Sequence, residues 1–214
     1  DSPAAMHAYL MMQAKLAGYS LPVKDVFDRY PASDTSEPAR YAHAMADMRK
    51  PDLKQALVEI QSLIKDEPKN PFFYEVMGQI YISMARPNLS LPAYQKSVDL
   101  LPSAPQLHLG LATAQLATDN PALAGAALTN LKIAANIEND DAFTWFETAQ
   151  AYSELSNEPM ADLSTAELYY NIGDYGKAIA FAGRAQHGLT QGSADWERAN
   201  DIVSAARASA NEQR

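Results

Sequence analysis

The stretch Asn70–Tyr81, NPFFYEVMGQIY, spaces Tyr74, Met77, Gly78 and Tyr81 three and four residues apart. On a helix that spacing places two aromatics, an apolar residue and a glycine on one side. Glycine inside a helix costs about 1 kcal/mol relative to alanine. A closely approaching partner helix offsets that cost, because the missing side chain admits the partner while the aromatics fill the volume on either side. The spacing therefore predicts a helix over 70–81 that packs in a hairpin, with Gly78 as a packing residue.

The phrase recurs along the chain. Pro68 and Pro102 close the similar runs IQSLIKDEP and YQKSVDLLP and stand 34 residues apart, the period of tetratricopeptide arrays. The order of aromatic, small residue and tyrosine returns as Trp145, Thr148, Ala149 and Tyr152, and Ala166 with Tyr169 continues it ahead of Gly173, Tyr175 and Ala178. Tyr41 heads a first repeat, with Ala44 and Met45 behind it. A third, centred on LHLGLATAQLA, has His108 and Gln115 in place of the aromatics. The helix from about Pro159 to Ile172 reads either as the second helix of one repeat or as the first of the next, because Ala149 and Ala166 are half a period apart.

No run of alternating β-branched residues reads as a strand. The expected fold is all-α, a tetratricopeptide-like right-handed superhelix of stacked helix hairpins. Its parts form one continuous solenoid: an N-terminal helix and short connecting helix over 1–35, about four to five repeats over 36–190, and a capping helix over 191–214. Ser2 and Pro3 begin the first helix and Gly18 reads as its stop; Ser36 or Asp34 caps the next. Asn139, Asp140 and Asp141 cap the helix that follows them, and Ser193 caps the last.

With 47% hydrophobic residues the 214-residue chain can build a core. It has no cysteine, which removes disulfides, thiolate metal sites and cysteine nucleophiles. Seventeen basic against 26 acidic residues give a formal charge of −9, a balance that repels phosphate backbones, so nucleic acid is not an expected partner. No apolar run approaches the roughly 20 residues of a membrane span. The start at Asp1, with no leader, reads as a processed or excised piece of a longer protein.

Catalytic patterns are missing. His7, His43, His108 and His187 stand singly, with no HExxH, so only a trio assembled from distant positions is left open; the helical histidines read as packing residues. No GxGxxG, GxxxxGK or GxSxG occurs. No catalytic residue, metal ligand or cofactor is expected in this chain. Met6, Met11 and Met12 give the first helix a soft apolar face, either core filler or an adaptable surface.

What remains is the groove that hairpin stacking creates. Residues one place beyond the packing positions point into it: Phe72, Glu75, Gln79 and Ile82; then Gln106, Leu109 and Thr113; then Phe143, Phe146, Gln150 and Ser153. Aromatic anchors with amide and hydroxyl groups suit an extended or helical peptide. Phe72 and Phe143 have the alternative of burial between repeats. The lysines and asparagines of a clamp for a terminal carboxylate are absent from these positions.

SEPARYAHAM, NPFFYEVMGQIY, LPAYQKSVDLLPSAPQLHLGLA, ADLSTAELYYNIGDYGKAIAFAGRA and GSADWERANDI resemble the carboxy-terminal tetratricopeptide half of bacterial periplasmic zinc metallopeptidases similar to the β-barrel assembly-enhancing protease. The likeness runs over essentially the whole chain. It implies a role in periplasmic envelope quality control. In that family an amino-terminal HExxH zinc domain cleaves misassembled outer-membrane proteins, while the repeat half packs on its own protease domain, recruits substrate or the barrel-assembly machinery, and restrains access to the active site. Zinc is expected only in that protease domain, and no catalytic residue carries over to this chain. The alternatives are a stand-alone scaffold or adaptor, and a hydrolase acting through an unrecognised site.

Overall fold

The computed structural model describes residues 2–212, and among these the regular structure is helical throughout, with twelve α-helices and one 3-10 turn. The chain divides into two compact units, Asp1–Leu101 and Pro102–Arg214. The division falls within the stretch read as continuous repeats over 36–190.

The first unit contains α1 (Pro3–Ser20), α2 (Val23–Arg29), α3 (Glu37–Arg49), α4 (Leu53–Asp66), α5 (Pro71–Ser83) and α6 (Pro87–Leu100). The hairpins α3/α4 and α5/α6 stack through α4 and α5, and α1 lies along α3. Side-chain caps set the helix starts: Ser2 Oγ accepts from the Ala5 amide at 3.2 Å, Ser36 Oγ from Ala39 at 3.4 Å and Asn70 Oδ1 from Phe72 at 3.1 Å. Asp34 accepts from the Ser36 amide instead of capping the helix itself.

Gly18 does not stop α1. The helix continues to Ser20 ahead of Pro22, and a β-carbon at Gly18 would lie 2.6 Å from Met45 Cβ and 2.9 Å from the Ala42 carbonyl oxygen. The glycine is a contact point that seats α1 on α3. Gly78 plays the same part inside α5/α6, where a β-carbon would meet the Tyr94 ring of α6 at 2.6 Å. Around it the buried register runs one residue earlier than the aromatic spacing predicts. Phe73, Val76 and Ile80 are fully buried, whereas Tyr74 and Tyr81 are half-buried and the Tyr74 hydroxyl donates to the Pro68 carbonyl. The reason is that α5 is covered on two sides: Phe73, Val76 and Ile80 belong to the cluster of Tyr41, Met45, Ile60 and Leu63, while Gly78 faces Tyr94.

The second unit contains α7 (Pro105–Leu116), the 3-10 turn Pro121–Leu123, α8 (Ala124–Ile137), α9 (Ala142–Glu154), α10 (Glu158–Asn171), α11 (Tyr175–Gly188) and α12 (Ala194–Glu212). The ambiguous helix over 159–172 is α10, and it packs against both α9 and α11, so it completes one hairpin and opens the next. Ala166, Ala178, Ala182, Ala185, Ala199 and Ala206 are fully buried at these contacts, and such small side chains let the helices approach closely. Tyr152 and Ala166 are buried, while Trp145, Ala149 and Tyr169 are half-buried; the Trp145 indole donates to the Asn139 carbonyl and Tyr169 stacks on Phe181 at 5.5 Å. Asp141 caps α9 by accepting from the Phe143 and Thr144 amides, and Ser193 Oγ accepts from Trp196 at the start of α12, which packs on α11 and α10.

Four hairpin turns share one conformation. Ala85, Asp119, Ser156 and Gly173 have φ of 55, 53, 56 and 79°, the left-handed region in which a β-carbon is strained, and only one of the four is glycine. At Ala85 the following amide, Arg86, closes the turn on the Tyr81 carbonyl at 2.9 Å. Ala85→Gly should therefore raise stability by about 1 kcal/mol, read as a higher urea midpoint with an unchanged slope; an unchanged or lower midpoint would show that the turn is not strained.

Candidate functional site

The predicted groove residues meet two fates. In the first unit α1 reaches two of them: Lys15 Nζ lies 2.7 Å from Glu75 and 4.8 Å from the centre of the Phe72 ring. Glu75 is 6% exposed, so it is a buried partner of Lys15 and not an open groove residue. Phe72, Gln79 and Ile82 are half-buried. Between α1 and the start of α5 is an apolar cavity of about 780 Å³ lined by Met11, Met12, Tyr41, Phe72, His7 and Lys69 among others. Met11 faces the core, whereas Met6 and Met12 are exposed together with Tyr9, Leu16 and Tyr19, so the methionine face of α1 divides between core and surface.

In the second unit Phe143 and Phe146, one turn apart on α9, are 48% and 42% exposed and stack on each other at 6.1 Å. Capping by Asp141 starts the helix so that both rings, with Gln150 and Ser153 farther along, lie on its open side. Phe146, Gln150 and Ser153 line a cleft of about 450 Å³ whose opposite wall is Thr165, Leu168 and Tyr169 of α10. Gln106 is exposed on α7, with Leu109 and Thr113 half-buried beside it.

Each unit also buries acids. Glu75 has Lys15; Glu167, 3% exposed, accepts two hydrogen bonds from Arg198 of α12 at 2.5 and 2.8 Å. The Glu167 carboxylate in turn raises the pKa of the Arg198 guanidinium, chiefly through those hydrogen bonds. Glu147 on α9 is 6% exposed and, among the described residues, has no cationic partner. Burial pushes its carboxyl above the usual range, with the Thr113 hydroxyl acting the other way. Burial likewise pushes up the Tyr41 hydroxyl in the first unit.

The single histidines divide. His43 Nε2 donates to the Tyr30 carbonyl and its ring stacks on Phe27; the His108 ring nitrogens lie 2.8 Å from Asn130 Oδ1 and 2.9 Å from the Pro102 carbonyl. Both are packing residues. His7 is different, because the fold brings it to Glu37 and Glu67, a trio scattered over 60 residues that no local motif could reveal. Among the described residues no helix is long and apolar enough to cross a membrane.

No protein-family model matches the chain. Its fold is similar to solved structures. YrrB, described as a TPR protein with an unusual peptide-binding site, aligns with a TM-score of 0.60 and 15% identity over 80% of this chain and 89% of that one. A MamA protein aligns with a TM-score of 0.61 and 16% identity over 83% and 93%. A second MamA structure gives 0.58 and 18% over 79% and 95%. The chain is thus all-α and built of helix hairpins of the tetratricopeptide kind.

Burial of the Glu147 carboxyl makes stability depend on pH. Its raised native pKa means that Glu147 favours folding while protonated and loses that contribution as pH rises from the ordinary glutamate value of 4.5 through the native value. Glu147→Gln keeps the shape without the charge. The variant should match wild type in urea stability at pH 4 and exceed it at pH 7.5; equal stability at both pH values would show that the carboxyl is not held in a desolvated place.

Proposed function

We propose that the chain is a protein-interaction module that takes peptide segments along the open side of α9. The stacked, exposed Phe143 and Phe146 beside the α9/α10 cleft carry this reading, because two large rings left in water next to a cleft with amide and hydroxyl groups supply anchors and hydrogen bonds together. Gln150, Ser153 and Thr165 provide the polar contacts. The sequence phrases add the finer reading: this module is the tetratricopeptide portion of a periplasmic zinc metallopeptidase, holding unfolded outer-membrane proteins or the barrel-assembly machinery for the protease half, with the catalytic zinc in that half. The peptide-binding site in YrrB's description supports the coarser part of this proposal.

The two sets of groove residues separate in a binding assay with an unfolded outer-membrane β-barrel protein as the probe. Phe146→Glu should weaken capture about tenfold or more, which corresponds to about 1.4 kcal/mol, with helicity unchanged. Phe72→Glu should leave capture intact, because Phe72 is occupied by Lys15 of α1. Wild-type affinity in Phe146→Glu would remove the α9 surface from the proposal. Cleavage of the probe by the chain, lost on adding a chelator, would contradict a binding module altogether. An HExxH sequence in the coding region upstream of Asp1 separates the protease-linked reading from a stand-alone adaptor.

A further inference from the structure

We propose that His7, Glu37 and Glu67 form a binding site for a divalent transition-metal cation of the zinc type, which fastens α1 to the α3/α4 hairpin. The three side chains come from separate places: the second turn of α1, the first residue of α3, and the capping residue that follows α4. His7 Nε2 lies 3.0 Å from Glu67 Oε1 and 3.5 Å from Glu37 Oε2, and the three candidate ligand atoms all fall within 4.8 Å of one another. A tetrahedral ion with ligands at about 2.0–2.2 Å sets its ligand atoms about 3.3–3.6 Å apart, so the 3.5 Å pair already fits and the 3.0 Å pair has only to open by a few tenths of an ångström.

Charge is the second observation. The two buried acids of this unit each have a full cation, Asp47 from Lys50 and Glu75 from Lys15, and the exposed Asp66 has Arg40; among the described residues the half-buried Asp34 and Glu59 have neither lysine nor arginine. Among the described residues no lysine or arginine nitrogen lies within 4.0 Å of the Glu37 or Glu67 carboxylate, and both converge on a single imidazole. Two carboxylates and one neutral imidazole carry a formal charge of −2, which one divalent ion neutralises. Third, Glu67 is held in place: its other oxygen, Oε2, accepts from Asn70 Nδ2 at 3.0 Å, leaving Oε1 turned toward His7. Such support of a carboxylate from behind is what orients metal ligands. One nitrogen and two oxygen donors suit zinc better than magnesium or calcium, which prefer all-oxygen shells, and the partial exposure of all three side chains leaves room for water as a further ligand.

Calorimetric titration of the 214-residue protein with zinc chloride at pH 7.5, alongside thermal unfolding, tests the assignment. Wild type should bind one zinc ion and unfold at a higher temperature with zinc than without, and magnesium chloride should do neither. His7→Gln and Glu67→Gln should each weaken zinc binding about tenfold or more while keeping wild-type helicity without metal. His187→Gln, which removes an exposed histidine elsewhere, should change nothing. Failure of wild type to bind zinc would overturn the proposal. So would wild-type binding in both His7→Gln and Glu67→Gln, which would place the ion elsewhere.

Discussion

At Gly78 the place a β-carbon would take is filled by the ring of Tyr94, 2.6 Å away on the partner helix, and this close approach fixes how α5 and α6 nest. Interiors are packed too densely for the ring to be displaced at no cost. With Tyr94 seated there and 5% exposed, the opposite side of α5 is free to bury Phe73, Val76 and Ile80 against α3 and α4. Gly18 repeats the device on α1, where close approach to Ala42 and Met45 sets the helix along α3 and so brings Lys15 to Glu75 and His7 to Glu37 and Glu67. Small residues thus decide which side chains meet, and the chemistry of the first unit follows from them.

The second unit reaches a related arrangement with alanine instead of glycine. Fully buried alanines on α10, α11 and α12 let α10 serve two hairpins at once, while Arg198 from α12 compensates the buried Glu167. On α9 the neighbouring acid, Glu147, has no such partner among the described residues, and the two phenylalanines of the same helix are exposed. Where Lys15 of α1 sits over Phe72 and pairs with Glu75, no described residue of the second unit supplies a cation to Glu147, and Phe146 stays 42% exposed. That contrast is the physical basis for placing the interaction surface on α9.

Much of this was legible in the sequence because it is local or periodic. The interval between Pro68 and Pro102 is periodic, and the caps at Ser2, Ser36, Asp141 and Ser193 and the partner helix demanded by Gly78 depend on residues within a helix or a turn of each other. The register of α5 was shifted by one because spacing alone treats a helix as having one buried side, and this helix has two. Gly18 reads as a stop for a related reason: glycine near a helix end marks a stop and glycine at a crossing marks a contact, and only the neighbour distinguishes them. Glu75 and the His7 trio depend on pairings 30 and 60 residues apart, which no local pattern encodes.

A double-mutant cycle between Gly78 and Tyr94 bears most directly on the claim that close approach at a small residue governs the packing. Gly78→Ala should lower the unfolding free energy by about 1–3 kcal/mol in the wild-type background, despite alanine's better helix propensity. In a Tyr94→Leu background the same change should cost little or become stabilising, leaving a coupling of about 0.5–3 kcal/mol. Stabilisation by Gly78→Ala with the tyrosine present, or no coupling between the two positions, would contradict the account.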